Sequence, residues 1–181
     1  MYKEHFGFTA EPFGTTPDPR FFYENPSNRE AYNHLLWGLT EHRDLMTLIG
    51  AVGTGKTTVL RHLVARSQPQ VRCILAEYPP SNFDELLTFT SRKLGVQGSD
   101  QDRISALKQA LVDSRAQNMT TALLLDEAQQ LPEEALEGVR LLSNLESHGE
   151  KVLQIVLAGQ PELQINLDRP SLAPLKQRIA F

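Results

Sequence analysis

The sequence predicts an α/β fold, a parallel β-sheet sandwiched by helices, on three observations. Apolar runs of strand length, such as Ala122 to Leu125 and Val152 to Ala158, alternate with longer segments whose apolar residues recur at helical spacing. A glycine-rich turn, Gly50 to Gly55, lies between one such run and the helical segment after it. At 181 residues, with 40% hydrophobic and 22% charged side chains, the chain has the make-up of one globular domain able to bury a core. Alternation on this scale covers both faces of the sheet and puts the binding crevice at the carboxyl ends of its strands.

From Met1 to about Pro26 the chain is rich in Pro, Gly and aromatics, including Thr16-Pro17-Asp18-Pro19, and reads as an irregular arm. The core, residues 27–181, begins with Ser27 followed by Glu30, a capping box. Ala31, Leu35, Leu36 and Leu39 then recur at helical spacing, and this helix is expected to end near His42. Leu45 to Ile49 is the first strand, and a helix follows Gly55 through Leu60, Leu63 and Val64. Val71 to Glu77 is the second strand, ended by Pro79-Pro80. Two helical patterns come next, Phe83 to Leu94, opened by Ser81, and Arg103 to Gln117. Thr120 to Leu125 is the third strand. Pro132, Glu133 and Glu134 start a helix whose stripe holds Leu136, Val139, Leu142 and Leu145, and Val152 to Ala158 is the fourth strand. There is no internal repeat and no low-complexity tract.

Composition also removes whole classes of function. No run approaches the roughly 18 apolar residues that span a bilayer. Met1 to Phe13 mixes aromatics with charges and does not read as a secretory signal, so a cytoplasmic address is expected. The single Cys73, among Val71, Ile74 and Leu75, suits an inert strand thiol in a reducing compartment. His5, His34, His42, His62 and His148 are scattered without zinc-ligand spacing. A formal net charge of -4 offers no general attraction to nucleic acid or to an anionic membrane.

The chemistry concentrates after the first strand. Gly50-Ala51-Val52-Gly53-Thr54-Gly55-Lys56-Thr57 satisfies G-x-x-x-x-G-K-[ST] and sits between strand and helix, as a phosphate-binding P-loop requires. Phosphates need backbone N–H groups turned to one point, and the glycines permit the positive φ and close approach this demands. The start of the helix near Lys56 adds its dipole. The fold class is thereby a P-loop NTPase. Its ligand is ATP with magnesium: Lys56 would bridge the β- and γ-phosphates and Thr57 would ligate the metal, with Thr58 a lesser candidate. Asp126 and Glu127 end the third strand; Asp126 can hold magnesium or its water shell, and Glu127 can take the proton of the attacking water. Gln160, directly after the fourth strand, has two readings: a side chain reaching the γ-phosphate or its attacking water, or a helix N-terminal residue before Pro161. Arg178 likewise reads as a solvated charge or as an arginine serving a neighbouring subunit's site.

The chain resembles the N-terminal ATPase domain of the general secretion pathway protein A (ExeA-like) family, within the AAA+ superfamily. The likeness rests on Phe6-Gly7-Phe8, Glu11-Pro12-Phe13, Thr16 to Phe21 and Pro26 to Ala31. It continues through the phosphate loop, Leu124 to Gln129, Leu141 to Glu146 and Leu157 to Leu163, and so covers nearly the whole chain. The resemblance implies Walker A roles for Lys56 and Thr57, Walker B roles for Asp126 and Glu127, a sensor-1 role for Gln160 and an arginine finger at Arg178. It also sets Arg29 in the stretch near the adenine, where surface charge on the first helix is the competing reading. AAA+ cores continue into a fifth strand and a helical lid; this sequence stops at Phe181, about where that strand would begin. The lid is expected to be missing, with weaker nucleotide cover, subunit contact and turnover. The family's transmembrane and peptidoglycan-binding parts are likewise outside it, so direct membrane contact is not expected, although a full-length protein could be anchored in the inner membrane.

The resulting expectation is a homo-oligomeric ATPase that couples turnover to assembly of a type II secretion or related pilus machine. The alternatives are a transposition-associated ATPase that polymerises on DNA, which the acidic balance disfavours, and a nucleotide-dependent switch with little hydrolysis.

Overall fold

The computed structural model describes residues 2–9, 23, 25–67, 69–96 and 102–181. The Thr16 to Pro19 turn and the Glu11 to Phe13 match lie outside the described residues. Within the arm read as irregular, Tyr2–Phe6 forms one helical turn, α1.

Helix α2, Pro26–Thr40, opens one step before the expected capping box. Asn25 is the cap: its Oδ1 accepts the Asn28 N–H at 2.7 Å, and Pro26 supplies a first helical residue that has no N–H to satisfy. A second cap differs in the same way. Helix α4, Phe83–Lys93, is capped by Asn82, whose Oδ1 accepts from Glu85 N at 2.8 Å, not by Ser81. Ser81 instead gives its N–H to Glu85 Oε2 at 2.7 Å, so the Glu85 side chain reaches back to the residue before the cap while Asn82 holds the Glu85 N–H.

Four parallel strands form the sheet in the order β1 (Leu45–Ile49), β6 (Gln154–Gly159), β3 (Thr120–Leu125), β2 (Val71–Ala76). Successive residues on a strand face opposite sides, and the burial follows that alternation. Leu45, Leu123, Leu125, Ile155 and Leu157 enter one core with residues of α4, α5 (Arg103–Ala116), α6 (Glu133–Ser143) and α7 (Pro161–Leu167). Met46, Ala122, Leu124, Val156 and Ala158 enter the other, against α2 and α3 (Lys56–Arg66). Two covered faces explain why β3 beyond Thr121 and β6 beyond Gln154 read as apolar runs and why both strands are buried along their whole length.

Two features lacked a sequence signal. Glu146–Ser147 (β4) and Glu150–Lys151 (β5) pair antiparallel around His148 and Gly149, both at positive φ, as a tight hairpin turn demands. Strands of two residues show no periodicity, and the expected strand at Val152 accordingly starts two residues later, at Gln154. After α7 the chain makes a 3₁₀ turn, Pro170–Leu172, and a short helix α8, Ala173–Lys176. It then runs beside β1: Ala180 N donates to Leu45 O and Thr47 N to Phe181 O, each at 2.8 Å. Among the described residues no helix is long and apolar enough to cross a membrane.

Register brings the functional ends together. Ile49 is level with Gly159, and Leu125 with Leu157, so β1, β6 and β3 all stop at one rim, with β6 in the middle.

Candidate functional site

At that rim β1 gives way to the glycine loop. Gly50 N–H donates to Gly159 O at 3.1 Å, which ties the loop's first residue to the middle strand. Gly53 and Gly55 have φ of +77° and +88°, conformations that a side chain rarely adopts. A Cβ at Gly50 would come within 2.9 Å of Thr54 Oγ1, which itself donates to Ala51 O at 2.8 Å. Gly55 caps α3 without a side-chain hydrogen bond, so the first-turn amides of α3 have no side-chain cap at the loop. The Lys56 ammonium lies over the loop, donating to Gly50 O at 2.8 Å and Ala51 O at 3.0 Å.

Across the rim stands the acidic pair. The Thr57 hydroxyl donates to Asp126 Oδ2 at 2.6 Å, a contact between residues 69 positions apart. Asp126 is only 2% exposed; its Oδ1 accepts the Glu127 N–H at 2.9 Å, and its own N–H donates to Ala76 O at 2.9 Å. A hydroxyl and a buried carboxylate converging at this distance are hard oxygen donors of the kind magnesium takes, so these residues fit such an ion.

Glu127 turns out of the strand in a left-handed conformation, φ 51°, unusual for a residue with a long side chain. Its Oε2 accepts from Gln129 Nε2 at 2.7 Å and from Gln160 Nε2 at 3.3 Å. Glu127 and Gln160 line a cavity of about 270 Å³ together with Gly53, Gly55, Lys56, Thr57 and Thr58, so the predicted loop, base and sensor residues share one cleft. Val52 lines the same cleft and is otherwise exposed. A second cavity of about 190 Å³ adjoins the loop on the α2 side, between Ser27, Asn28, Ala31, Ile49, Thr54 and Lys56. Arg29 is exposed and lines neither cavity; Asn28, one residue before it, does.

Arg178 stands elsewhere. Its neighbour Ile179 bridges to Leu45, at the amino end of β1, while the loop leaves the carboxyl end. There its charge acts on Asp44, whose carboxyl is pushed up by burial and drawn back by Lys151 and Arg178. A wider cavity of about 630 Å³ also opens at that end, lined by His42, Arg115, Asn118 and His148 among others. It holds none of the loop or acidic residues, so size is a poorer guide here than chemistry. Cys73 is half-buried beside Ser67 Oγ at 3.1 Å, and burial pushes its thiol up, against any reactive role at neutral pH.

The sequence reading gave no role to Gln129. That residue sits in a 3₁₀ turn, Ala128–Gln130, which folds it back under Gly159, a juxtaposition that spacing along the chain does not reveal.

Comparison with known proteins bears on the family and the fold. A family model described as AAA domain matches residues 39–167. General secretion pathway protein A of Aeromonas hydrophila is 36% identical over 99% of this chain, which covers 34% of that protein. Mu-like prophage FluMu DNA transposition protein B of Haemophilus influenzae is 28% identical over 90% of this chain and 52% of its own length. The chain thus spans a third to a half of the curated relatives it matches. Among solved structures, Cdc6p from Pyrobaculum aerophilum superposes with a TM-score of 0.68 at 20% identity, over 93% of this chain and 47% of that one, a likeness of fold. A sheet of parallel strands flanked by helices, a P-loop at its rim and the match over most of the chain lead to one conclusion: this protein belongs to the AAA domain family.

Proposed function

We propose that this chain binds ATP with magnesium in the cleft between the Gly50 to Thr57 loop and the Asp126-Glu127 pair, and hydrolyses it. The observation that carries the reading is the 2.6 Å approach of Thr57 Oγ1 to Asp126 Oδ2, which joins the two motifs that a metal-bound triphosphate would need side by side. Loop amides and the α3 amino end bind the phosphates, and Lys56 exchanges its loop carbonyls for phosphate oxygens. Magnesium, held by Thr57 and by Asp126 directly or through water, would neutralise charge on the phosphate oxygens. Glu127 takes the proton of a water whose oxygen attacks the γ-phosphorus as the bond to the β-phosphate oxygen breaks, leaving ADP and phosphate. Gln160 orients that water or the γ-phosphate with its side-chain amide.

Arg178 acts on a neighbouring subunit's nucleotide rather than its own. Its position at the far end of β1 supports this, because an arginine that serves an adjacent subunit must stand away from its own loop. The protein therefore works as a homo-oligomer. The similarity to general secretion pathway protein A supports coupling of turnover to assembly of a secretion or related pilus machine on the cytoplasmic side.

ATP turnover with and without magnesium tests the core of the reading. Lys56→Ala is expected to lose nucleotide binding, whereas Glu127→Gln keeps binding and loses hydrolysis; equal turnover in Glu127→Gln and the parent refutes the assigned base. The similarity to a DNA transposition protein favours a second reading, an ATPase that assembles on DNA. Salt-dependent binding of duplex DNA would move the assignment there, since phosphate contacts release counterions and weaken as salt rises.

A further inference from the structure

We propose that Gln129 is a positioning residue for hydrolysis, a brace that sets the Glu127 carboxylate and the Gln160 side chain in one fixed relation; the proposal rests on the ATPase reading above. The case begins with the amide itself. Gln129 Oε1 accepts the main-chain N–H of Gln160 at 3.0 Å. A backbone N–H can only donate, so the oxygen must face Gln160 and the NH₂ must face the other way. That end donates to Glu127 Oε2 at 2.7 Å. One side chain thereby links the residue after β3 to the residue after β6, and its orientation follows from the donors around it.

The brace is anchored at its base as well. Gln129 O accepts from Asn166 Nδ2, on α7, at 3.2 Å. Gly159 makes the space: a Cβ there would lie 2.8 Å from Gln129 Oε1, 3.2 Å from Gln129 N and 3.0 Å from Leu163 Cδ2. Glu127 itself is held at φ 51°, a conformation that persists only where surrounding contacts impose it. Gln160 Nε2 reaches the same Oε2 at 3.3 Å, so base and sensor meet on one carboxylate oxygen that Gln129 holds in place. Gln129 does not line the nucleotide cleft, whereas Glu127 and Gln160 do. Its part is to position them, not to touch the reacting atoms.

The test is steady-state ATP hydrolysis by Gln129→Ala, Gln129→Glu and Gly159→Ala, with nucleotide-analogue affinity and thermal melting measured on each. Misplacing a catalytic group by about 1 Å costs on the order of 10²-fold in rate, so Gln129→Ala is expected to lower kcat by about that factor with KM and analogue affinity unchanged. Gln129→Glu keeps the side-chain length and an oxygen for the Gln160 N–H but replaces the donor to Glu127 with an acceptor, so it is expected to share the kcat loss with analogue affinity unchanged, a split that a general loss of packing does not produce. Gly159→Ala displaces the brace without altering it and should share the kcat defect. Parental kcat in folded Gln129 variants, or a loss of kcat matched by an equal loss of analogue affinity, overturns the brace while leaving the ATPase reading intact, provided Glu127→Gln in the same assay is inactive. If Glu127→Gln turns over like the parent, both the brace and the reading fall.

Discussion

Replacing Thr57 with valine keeps the shape of the side chain and deletes the hydroxyl that donates to Asp126 Oδ2 at 2.6 Å. Asp126 is 2% exposed, so water cannot readily take the place of that donor. A hydrogen bond to a charged group contributes about 1.5–3 kcal/mol, and leaving a buried acceptor unmet costs a similar amount. In a domain of this size each kcal/mol moves the melting temperature by about 2–4 °C, so Thr57→Val is expected to melt about 3–12 °C below the parent before any nucleotide is added. A double-mutant cycle with Asp126→Ala isolates the pair and should return most of that energy as coupling. Because the same two groups are the proposed metal donors, the magnesium concentration for half-maximal turnover should also rise in Thr57→Val. The assays are thermal melting and a magnesium titration of ATPase activity. A variant that melts with the parent, shows coupling near zero and needs no more magnesium would refute the pairing of hydroxyl and carboxylate on which the site is built.

Other outcomes follow from single features. Gly55→Ala meets nothing closer than Asn28 at 3.6 Å, so its cost comes from the backbone, held at φ +88°; about 1–3 kcal/mol of stability and weaker binding of a fluorescent nucleotide are expected. Asn25→Ala removes the cap on Asn28 N and should cost about 1 kcal/mol in denaturant unfolding, while Ser27→Ala should cost far less. His42 titrates below the ordinary imidazole range because of its burial and then the Arg115 guanidinium, whose Nη1 lies 2.9 Å from its Nε2. The folded state therefore favours the neutral ring. Its stabilising contribution is present above the unfolded value of about 6.5 and is lost as pH falls through the folded one. Melting temperature followed from pH 7.5 downward should drop less steeply in His42→Asn, which tolerates the left-handed φ of 53° at that position.

The parts of the fold that were legible in the sequence are those with a repeating signal. Strands β1, β3 and β6 announced themselves as mostly apolar runs, because both faces of the sheet are covered and few positions in them are polar. The loop was legible for a different reason: glycine takes the φ of Gly53 and Gly55 without strain where a side chain rarely does, so the chemistry writes itself into residue type. Caps were harder. Ser27 and Ser81 are as good on paper as Asn25 and Asn82, and the choice between them depends on where the backbone leaves the helical region. The β4–β5 hairpin was too short to repeat anything. At the site, residue types with a known task were readable singly. The brace by Gln129 was not, since glutamine is chemically neutral and its partners, Glu127 and Gln160, come together only when the 3₁₀ turn folds beneath β6.

Placing β6 between β1 and β3 has a consequence for how the protein comes into being. Ile49 must wait for Gly159, far later in the chain, before the ladder that closes the loop can form. Pairings between segments so distant in the chain are entropically late and slow to establish. During synthesis the Gly50 to Thr57 loop therefore exists as sequence long before it exists as a shape, and the proposed nucleotide site would be complete only once β6 has joined β1. At the proposed site, nucleotide affinity would therefore report on completed folding, and a ligand in the cell would reward the finished molecule over its partly made precursors.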